Sequence, residues 1–110
     1  METSIKTGYT LIISTESYFS DFFSNFKSEY DTTSKNHTIL QLSENLNTTT
    51  QNLSLFLDIA TKYRSNGISF VVICNGIDID EIPDEINVVP TLTEAEDLLE
   101  MDAIEKDLGF

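Results

Sequence analysis

The chain has 110 residues, which suits one domain able to bury roughly two-thirds of its unfolded surface. Its 19 Asp and Glu residues outnumber its 6 Lys and Arg residues, and the net charge of −13 disfavours electrostatic binding to nucleic acid or to anionic membranes. No apolar run approaches the roughly 18 residues of a membrane span, and a lone Cys74 suits a reducing compartment, so a cytoplasmic protein is expected.

The first elements along the chain are a predicted β-hairpin and an amphipathic helix. Ser4–Lys6 and Tyr9–Ser14 are β-prone, and Thr7-Gly8 between them indicates a turn. Ser17–Tyr30 then repeats aromatic residues at helical spacing, which predicts a helix with one stripe in the core. The stripe consists of Phe19, Phe22, Phe23, Phe26 and Tyr30.

The middle of the chain predicts two strands around a second helix. Thr38–Leu42 is the third strand, and Asn66-Gly67 closes the helix that follows it. Ile68–Cys74 is apolar at nearly every position, which is typical of a central strand covered on both faces. The apolar positions that mark the helix are Leu53, Phe56, Leu57, Ala60 and Tyr63.

The last third predicts a loop, a short strand and a final helix. Ile77–Ile86 contains a proline among alternating acids and isoleucines, which favours a loop with at most one helical turn, and Asn87–Val89 is a short strand. Thr91-Leu-Thr-Glu94 has the form of a capping box, so the final helix is expected to begin near Leu92. Residues 101–110 are expected to form an acidic helical extension that either bends or projects past the core.

The predicted order of elements is β-β-α-β-α-β-(turn)-β-α within a single domain spanning residues 1–110. Helices between strands imply right-handed crossovers onto a sheet whose later strands are parallel. We therefore expect an α/β fold with a mixed sheet of four to five strands and three main helices.

This order resembles the STAS domain, the module shared by sulphate transporters and bacterial anti-sigma factor antagonists. The similarity runs from about Tyr9 to Leu99 and rests on three places: Thr38–Ser43 with the turn and helix after it, Asn66-Gly67 before an apolar strand, and Pro90–Ala95 opening the last helix. The resemblance implies a non-enzymatic protein–protein interaction module with regulatory output.

The resemblance also implies a contact surface after the third strand. In antagonists of this type an Asp-Ser pair opens the helix and a kinase phosphorylates the serine; aligned from Leu42-Ser43, the pair falls on Thr49-Thr50, which makes Thr50 the possible phosphoacceptor. Thr49 replaces the aspartate, and Asn52 replaces a glycine common in the family. The alternative from the residues alone is that Thr49 or Thr50 simply caps the helix. The expected contact residues are Asn47, Thr48, Thr49, Thr50, Asn52 and Leu53.

The acidic C-terminal third supports two interpretations. Residues 1–75 hold 7 acids and 5 bases, whereas residues 76–110 hold 12 acids and only Lys106. Glu96, Asp97 and Glu100 are either a solvated face or a docking surface for a basic partner protein.

The ending Asp-Leu-Gly-Phe also resembles a STAS-like group sometimes labelled ribonuclease Z. That label implies at most a partnership with such an enzyme, because a two-metal nuclease needs several histidines and this chain has only His37.

No catalytic residue, metal site or cofactor is predicted. The acids between Asp78 and Glu85 lack the spacing of a calcium-binding loop, and the glycines form no phosphate-binding motif. Two rival functions stay open: a small-ligand or nucleotide-binding regulatory domain that uses the crevice beyond the strand ends, and a subunit that completes an active site with a partner. The sequence leaves the oligomeric state open.

Overall fold

The computed structural model describes residues 1–33 and 36–107. Within these ranges the strands are β1 Glu2–Lys6, β2 Tyr9–Ile13, β3 Thr38–Gln41, β4 Phe70–Ile73 and β5 Asn87–Val89. The α-helices are α1 Phe19–Thr33, α2 Thr50–Ser54, α3 Leu57–Ser65 and α4 Leu92–Asp107, and short 3₁₀ turns occupy Glu44–Leu46 and Ile79–Glu81. The predicted loop Ile77–Ile86, expected to contain at most one helical turn, contains the 3₁₀ turn Ile79–Glu81.

The five strands form one mixed sheet in the order β1-β2-β3-β4-β5. β1 pairs with β2 antiparallel, and every later neighbour is parallel, which confirms the α/β prediction. Lys6 pairs with Tyr9 across the predicted hairpin turn, where Gly8 has a φ of +90° that a side chain would disfavour. Each parallel connection carries the chain across a face of the sheet and back to the same edge.

The helices cover the two faces of the sheet unequally. Alternate strand residues such as Ile12, Leu40 and Val72 pack beneath α1, α2 and α3. Their neighbours Leu11, Ile39 and Val71 pack on the opposite face, where α4 contributes the fully buried Ala95 and the half-buried Leu92, Leu98 and Leu99. All four residues of β4 are buried, as its continuous apolar run predicts.

The second helix differs from the prediction because it is two segments. The N–H groups of Leu55 and Phe56 bond to the carbonyls of Asn52 and Leu53, three residues earlier, so the chain tightens between α2 and α3. Leu53 and Phe56 on the inner side of this connection are both fully buried, whereas Leu55 is 54% exposed. A single α-helix from Leu53 to Tyr63 was therefore the wrong expectation for this stretch.

The final helix begins at Leu92, as predicted. The Thr91 hydroxyl accepts a hydrogen bond from the Glu94 backbone N–H at 3.2 Å, which is one of the two bonds of the expected capping box. α4 continues as one helix to Asp107, and Met101 on it is 57% exposed, so the start of the extension does not pack into the core. Residues 108–110 of the predicted extension and the side chain of Tyr30 lie outside the described part of the structure.

Phe56 is the centre of an aromatic cluster under the sheet. Its ring meets those of Phe19, Phe23, Phe26 and Phe70 with centroids 5.2–5.9 Å apart, mostly in edge-to-face or tilted geometry. Aromatic pairs of this kind add to the free energy gained from burying the rings. The cluster joins α1, the α2–α3 connection and β4.

We expect Phe56→Ala to lower the free energy of unfolding by about 3–5 kcal/mol, because it leaves a cavity among four rings. Phe56→Leu retains most of the buried volume and should cost about 1–2 kcal/mol. Urea denaturation followed by circular dichroism measures both values. Equal losses in the two variants would show that the cavity is not the cause.

The Glu16 carboxylate ties the start of the chain to α1. It accepts hydrogen bonds from the Met1 ammonium at 2.8 Å, the Asn25 side-chain amide at 2.6 Å and the Thr15 backbone N–H at 3.0 Å. Burial of the carboxylate by itself raises its pKa, but these hydrogen bonds outweigh burial and lower the pKa to about 2.

The lowered pKa of Glu16 predicts an acid-dependent loss of stability. Because the pKa is about 4.5 when unfolded and about 2 when folded, the stabilisation is complete above pH 4.5 and is lost as the pH falls towards 2. Glu16→Gln should lower the unfolding free energy at pH 7 by about 1–2 kcal/mol, and its difference from the unmodified chain should shrink as the pH falls to 2. Denaturation of protein with a free Met1 amine between pH 7 and 2 measures this. Glu85→Gln, at an exposed carboxylate, serves as the control for the loss of one negative charge.

Candidate functional site

The carboxyl ends of β3, β4 and β5 meet at one edge of the sheet and enclose a groove of about 530 Å³. We call it the carboxyl-edge groove. Its residues come from the ends of these strands, from the turn after β3 and from the start of α4. Its polar side chains include Gln41, Ser43, Glu44, Asn47, Thr48 and Asn75; its apolar walls include Leu42, Ile73, Pro90 and Leu92.

The turn after β3 has a defined local structure. The Ser43 backbone N–H donates to the Ser14 hydroxyl at 2.8 Å, which fixes the start of the turn against the end of β2. Leu46 of the 3₁₀ turn is buried, and Asn47 then takes a left-handed conformation with φ 52° and ψ 46°. Asparagine tolerates this conformation better than most residues with a side chain. From Asn47 the chain passes through Thr48, which lines the groove, and enters α2.

The capping role falls on Thr49. Its hydroxyl accepts from the Asn52 backbone N–H at 3.1 Å, and the Asn52 side-chain oxygen accepts from the Thr49 backbone N–H at 3.0 Å. These reciprocal bonds form a capping box that satisfies two N–H groups otherwise left unpaired at the helix start. Thr49 and Asn52 together therefore act as the N-terminal cap of α2.

Thr50 is the first residue of α2, and its side chain is partly exposed. Among the described residues its hydroxyl forms no hydrogen bond, so substitution or phosphorylation there breaks no polar contact of the fold. Leu53, in contrast, is fully buried in the aromatic core. This burial corrects the expectation that Leu53 contacts a partner, since its apolar side chain packs inward to stabilise α2.

The two threonines are separable by mutation. Thr49→Ala removes the cap and should lower the unfolding free energy by about 1 kcal/mol, whereas Thr49→Ser keeps the hydroxyl and should cost much less. Thr50→Ala should change stability by less than about 0.5 kcal/mol, because the hydroxyl makes no bond within the described structure. Chemical denaturation of the three variants measures the differences. A larger loss for Thr50→Ala than for Thr49→Ala would contradict the observed capping box.

The acidic face, Glu96, Asp97 and Glu100, lies away from this turn. All three side chains are exposed on α4, which starts at the carboxyl-edge groove and runs back to the opposite edge of the sheet. There Glu96 accepts a hydrogen bond from the Tyr9 hydroxyl at 2.9 Å; burial, and then this bond, raise the pKa of Tyr9. The structure therefore places the two predicted contact surfaces at opposite edges and does not combine them.

Cys74 and His37 are also separated. Cys74 lies in the groove after β4, and partial burial raises the pKa of its thiol, which favours the neutral form. His37 precedes β3 at the other edge, where its Nδ1 accepts a hydrogen bond from the Ser69 backbone N–H at 2.9 Å. The histidine is thus not placed to act as a base for the thiol.

Within the described residues, no group of three or more His, Cys, Asp or Glu side chains is arranged to hold a metal ion. In the acidic loop, Asp78 caps the second 3₁₀ turn by accepting from the Asp80 backbone N–H at 3.0 Å. No helix in residues 1–33 or 36–107 combines the length and apolar character needed to cross a membrane.

Comparison with known proteins gives no relative from which a function could be transferred. No protein-family model matches the chain, and no curated protein matches it significantly.

Proposed function

We propose that this chain is a non-enzymatic, cytoplasmic interaction module of STAS-like fold, resembling an anti-sigma factor antagonist. The observation that carries the proposal is the turn after β3. It is anchored by the Ser43–Ser14 bond, capped by Thr49 and followed by a threonine whose hydroxyl has no partner among the described residues. An ordered, polar turn at the edge of a rigid sheet is well suited to protein recognition.

The proposed contact surface comprises the side chains of Asn47, Thr48, Thr49, Thr50 and Asn52, and it extends to Leu55. Leu55 is 54% exposed immediately after α2 and borders a small hollow with Phe23 and Lys27 of α1. The Lys27 ammonium lies 5.5 Å from the centre of the Phe23 ring. Exposed apolar side chains with a polar rim are typical of protein contact surfaces.

Phosphorylation of Thr50 would regulate this contact. A phosphate adds about −1.5 to −2 charges at pH 7. Because the Thr50 side chain is partly exposed and makes no bond within the described structure, the added charge would act on the partner and leave the fold intact. In the antagonists that this chain resembles, an aspartate precedes the phosphorylated serine. Thr49 occupies that position here, so a kinase of the usual antagonist type would encounter a neutral side chain in place of the aspartate.

A second candidate, an accessory partner of a ribonuclease Z-type enzyme, uses the acidic face. Glu96, Asp97 and Glu100 are exposed on one stretch of α4, and such a surface favours a basic partner. Since this face and the Asn47–Asn52 turn lie at opposite edges, variants at one surface leave the other intact.

Affinity purification with the unmodified chain and matched variants tests the proposal. A partner that recognises the turn should be recovered by the unmodified chain and by Thr50→Ser, and its recovery should fall at least about tenfold with Thr50→Glu or Leu55→Asp. All variants should keep the circular dichroism spectrum of the unmodified chain.

Variants of the acidic face test the second candidate function in the same experiment. Combined Glu96→Gln, Asp97→Asn and Glu100→Gln should leave recovery through the turn unchanged. Loss of the partner in this triple variant but not in Thr50→Glu would favour the accessory-partner role and contradict the proposed turn surface. Unchanged binding by Thr50→Glu would exclude regulation by a phosphate at this position.

A further inference from the structure

The carboxyl-edge groove brings together polar side chains whose hydrogen-bonding capacity is unused. Within the described structure the side chains of Gln41, Ser43, Asn47, Thr48 and Asn75 donate no hydrogen bond to protein groups and accept none. The Thr48 hydroxyl oxygen is also shielded from solvent, and an unpaired buried hydroxyl costs about 1–3 kcal/mol. Nearby hydroxyls differ, because those of Ser14, Thr49 and Thr91 each accept a hydrogen bond from a backbone N–H group.

These groups come from separate parts of the chain. Gln41 ends β3, Asn75 follows β4, and Asn47 and Thr48 belong to the turn. Three carboxamides and two hydroxyls around one groove offer both donors and acceptors in several directions. Carboxamides pair well with the edges of nucleobases, which present adjacent donors and acceptors.

The walls and the size of the groove suit a ring compound. Leu42 and Ile73 form a buried apolar wall, and Pro90 and Leu92 lie across from the strand ends at the start of α4. The volume of about 530 Å³ lies within the range of small-molecule sites. The carboxyl ends of parallel strands are also the usual place for ligands in open α/β sheets.

The charge of the groove selects against anions. Glu44 is the one charged side chain among the described lining residues, and none of them is Lys or Arg. The net charge of −13 adds a repulsive field for phosphate groups. A phosphorylated ligand would therefore have no cationic partner here, whereas Glu44 can accept hydrogen bonds from sugar hydroxyls.

We propose that the carboxyl-edge groove binds an uncharged nucleoside, with its base against the carboxamides of Gln41 and Asn75 and its sugar towards Glu44 and the turn. The site takes the nucleoside in preference to the nucleotide. Binding would also fix Asn47 and Thr48, the residues that lead into the Thr49 cap. The binding itself is independent of the proposed partner contact, because it is measured on the isolated chain.

Calorimetric titration of the full chain with adenosine, guanosine, cytidine and uridine, each beside its 5′-monophosphate, tests the proposal. At least one nucleoside should bind saturably below millimolar concentration, and its monophosphate should bind at least about tenfold more weakly. Asn75→Ala and Gln41→Ala should each weaken binding at least about fivefold, while Asn45→Ala, an exposed amide outside the groove, should not.

Three outcomes would overturn the proposal. These are the absence of saturable binding by all four nucleosides at millimolar concentration, a monophosphate that binds as tightly as its nucleoside, or affinity unaffected by both groove variants. Thr48→Val tests the site without any assumption about which atoms of the nucleoside contact the groove. It removes the shielded hydroxyl, so it should leave the free chain at least as stable and should weaken nucleoside binding.

Discussion

The burial of β3 and β4 on both faces is the constraint on which the rest of the fold depends. Ile39 and Leu40 point to opposite faces and are both inaccessible, and the same holds for Val71 and Val72. Two apolar faces require cover on both sides. The parallel connections, two through α-helices and one through the Ile79–Glu81 turn, return the chain to the same edge each time. The carboxyl ends of β3, β4 and β5 must then converge, so the groove is a direct result of core burial.

The sequence predicted most elements because their signals are local. The aromatic spacing of α1, the unbroken apolar run of β4 and the threonine cap of α4 each lie within a few neighbouring residues. The division between α2 and α3 was missed because the apolar residues on both sides of the break keep the spacing of one continuous helix, so periodicity does not reveal it. Leu53 is a core residue and not a contact residue because it packs into the cluster beneath the sheet, which a helix start considered alone does not show.

The groove was only partly predictable for a similar reason. A polar residue directly after an apolar strand is a usable signal, and both Ser43 and Asn75 give it. The convergence of Gln41, Thr48 and Asn75 is a property of three separate segments and requires the strand order. The charge asymmetry, in contrast, was plain in the sequence, but the position of Glu96 and Glu100 at the far edge from the turn follows only from the direction of α4.

The helix α4 divides its residues between two independent tasks. Its inward row, from Leu92 through Ala95 to Leu98 and Leu99, packs on one whole face of the sheet, while Glu96, Asp97 and Glu100 face water. Because the outer row contributes little to packing, Asp97 and Glu100 can change without loss of the fold, whereas Glu96 also accepts the hydrogen bond from Tyr9. The same separation makes α4 a site where a designer could replace the outer acids with a new recognition sequence and retain the inward row unchanged.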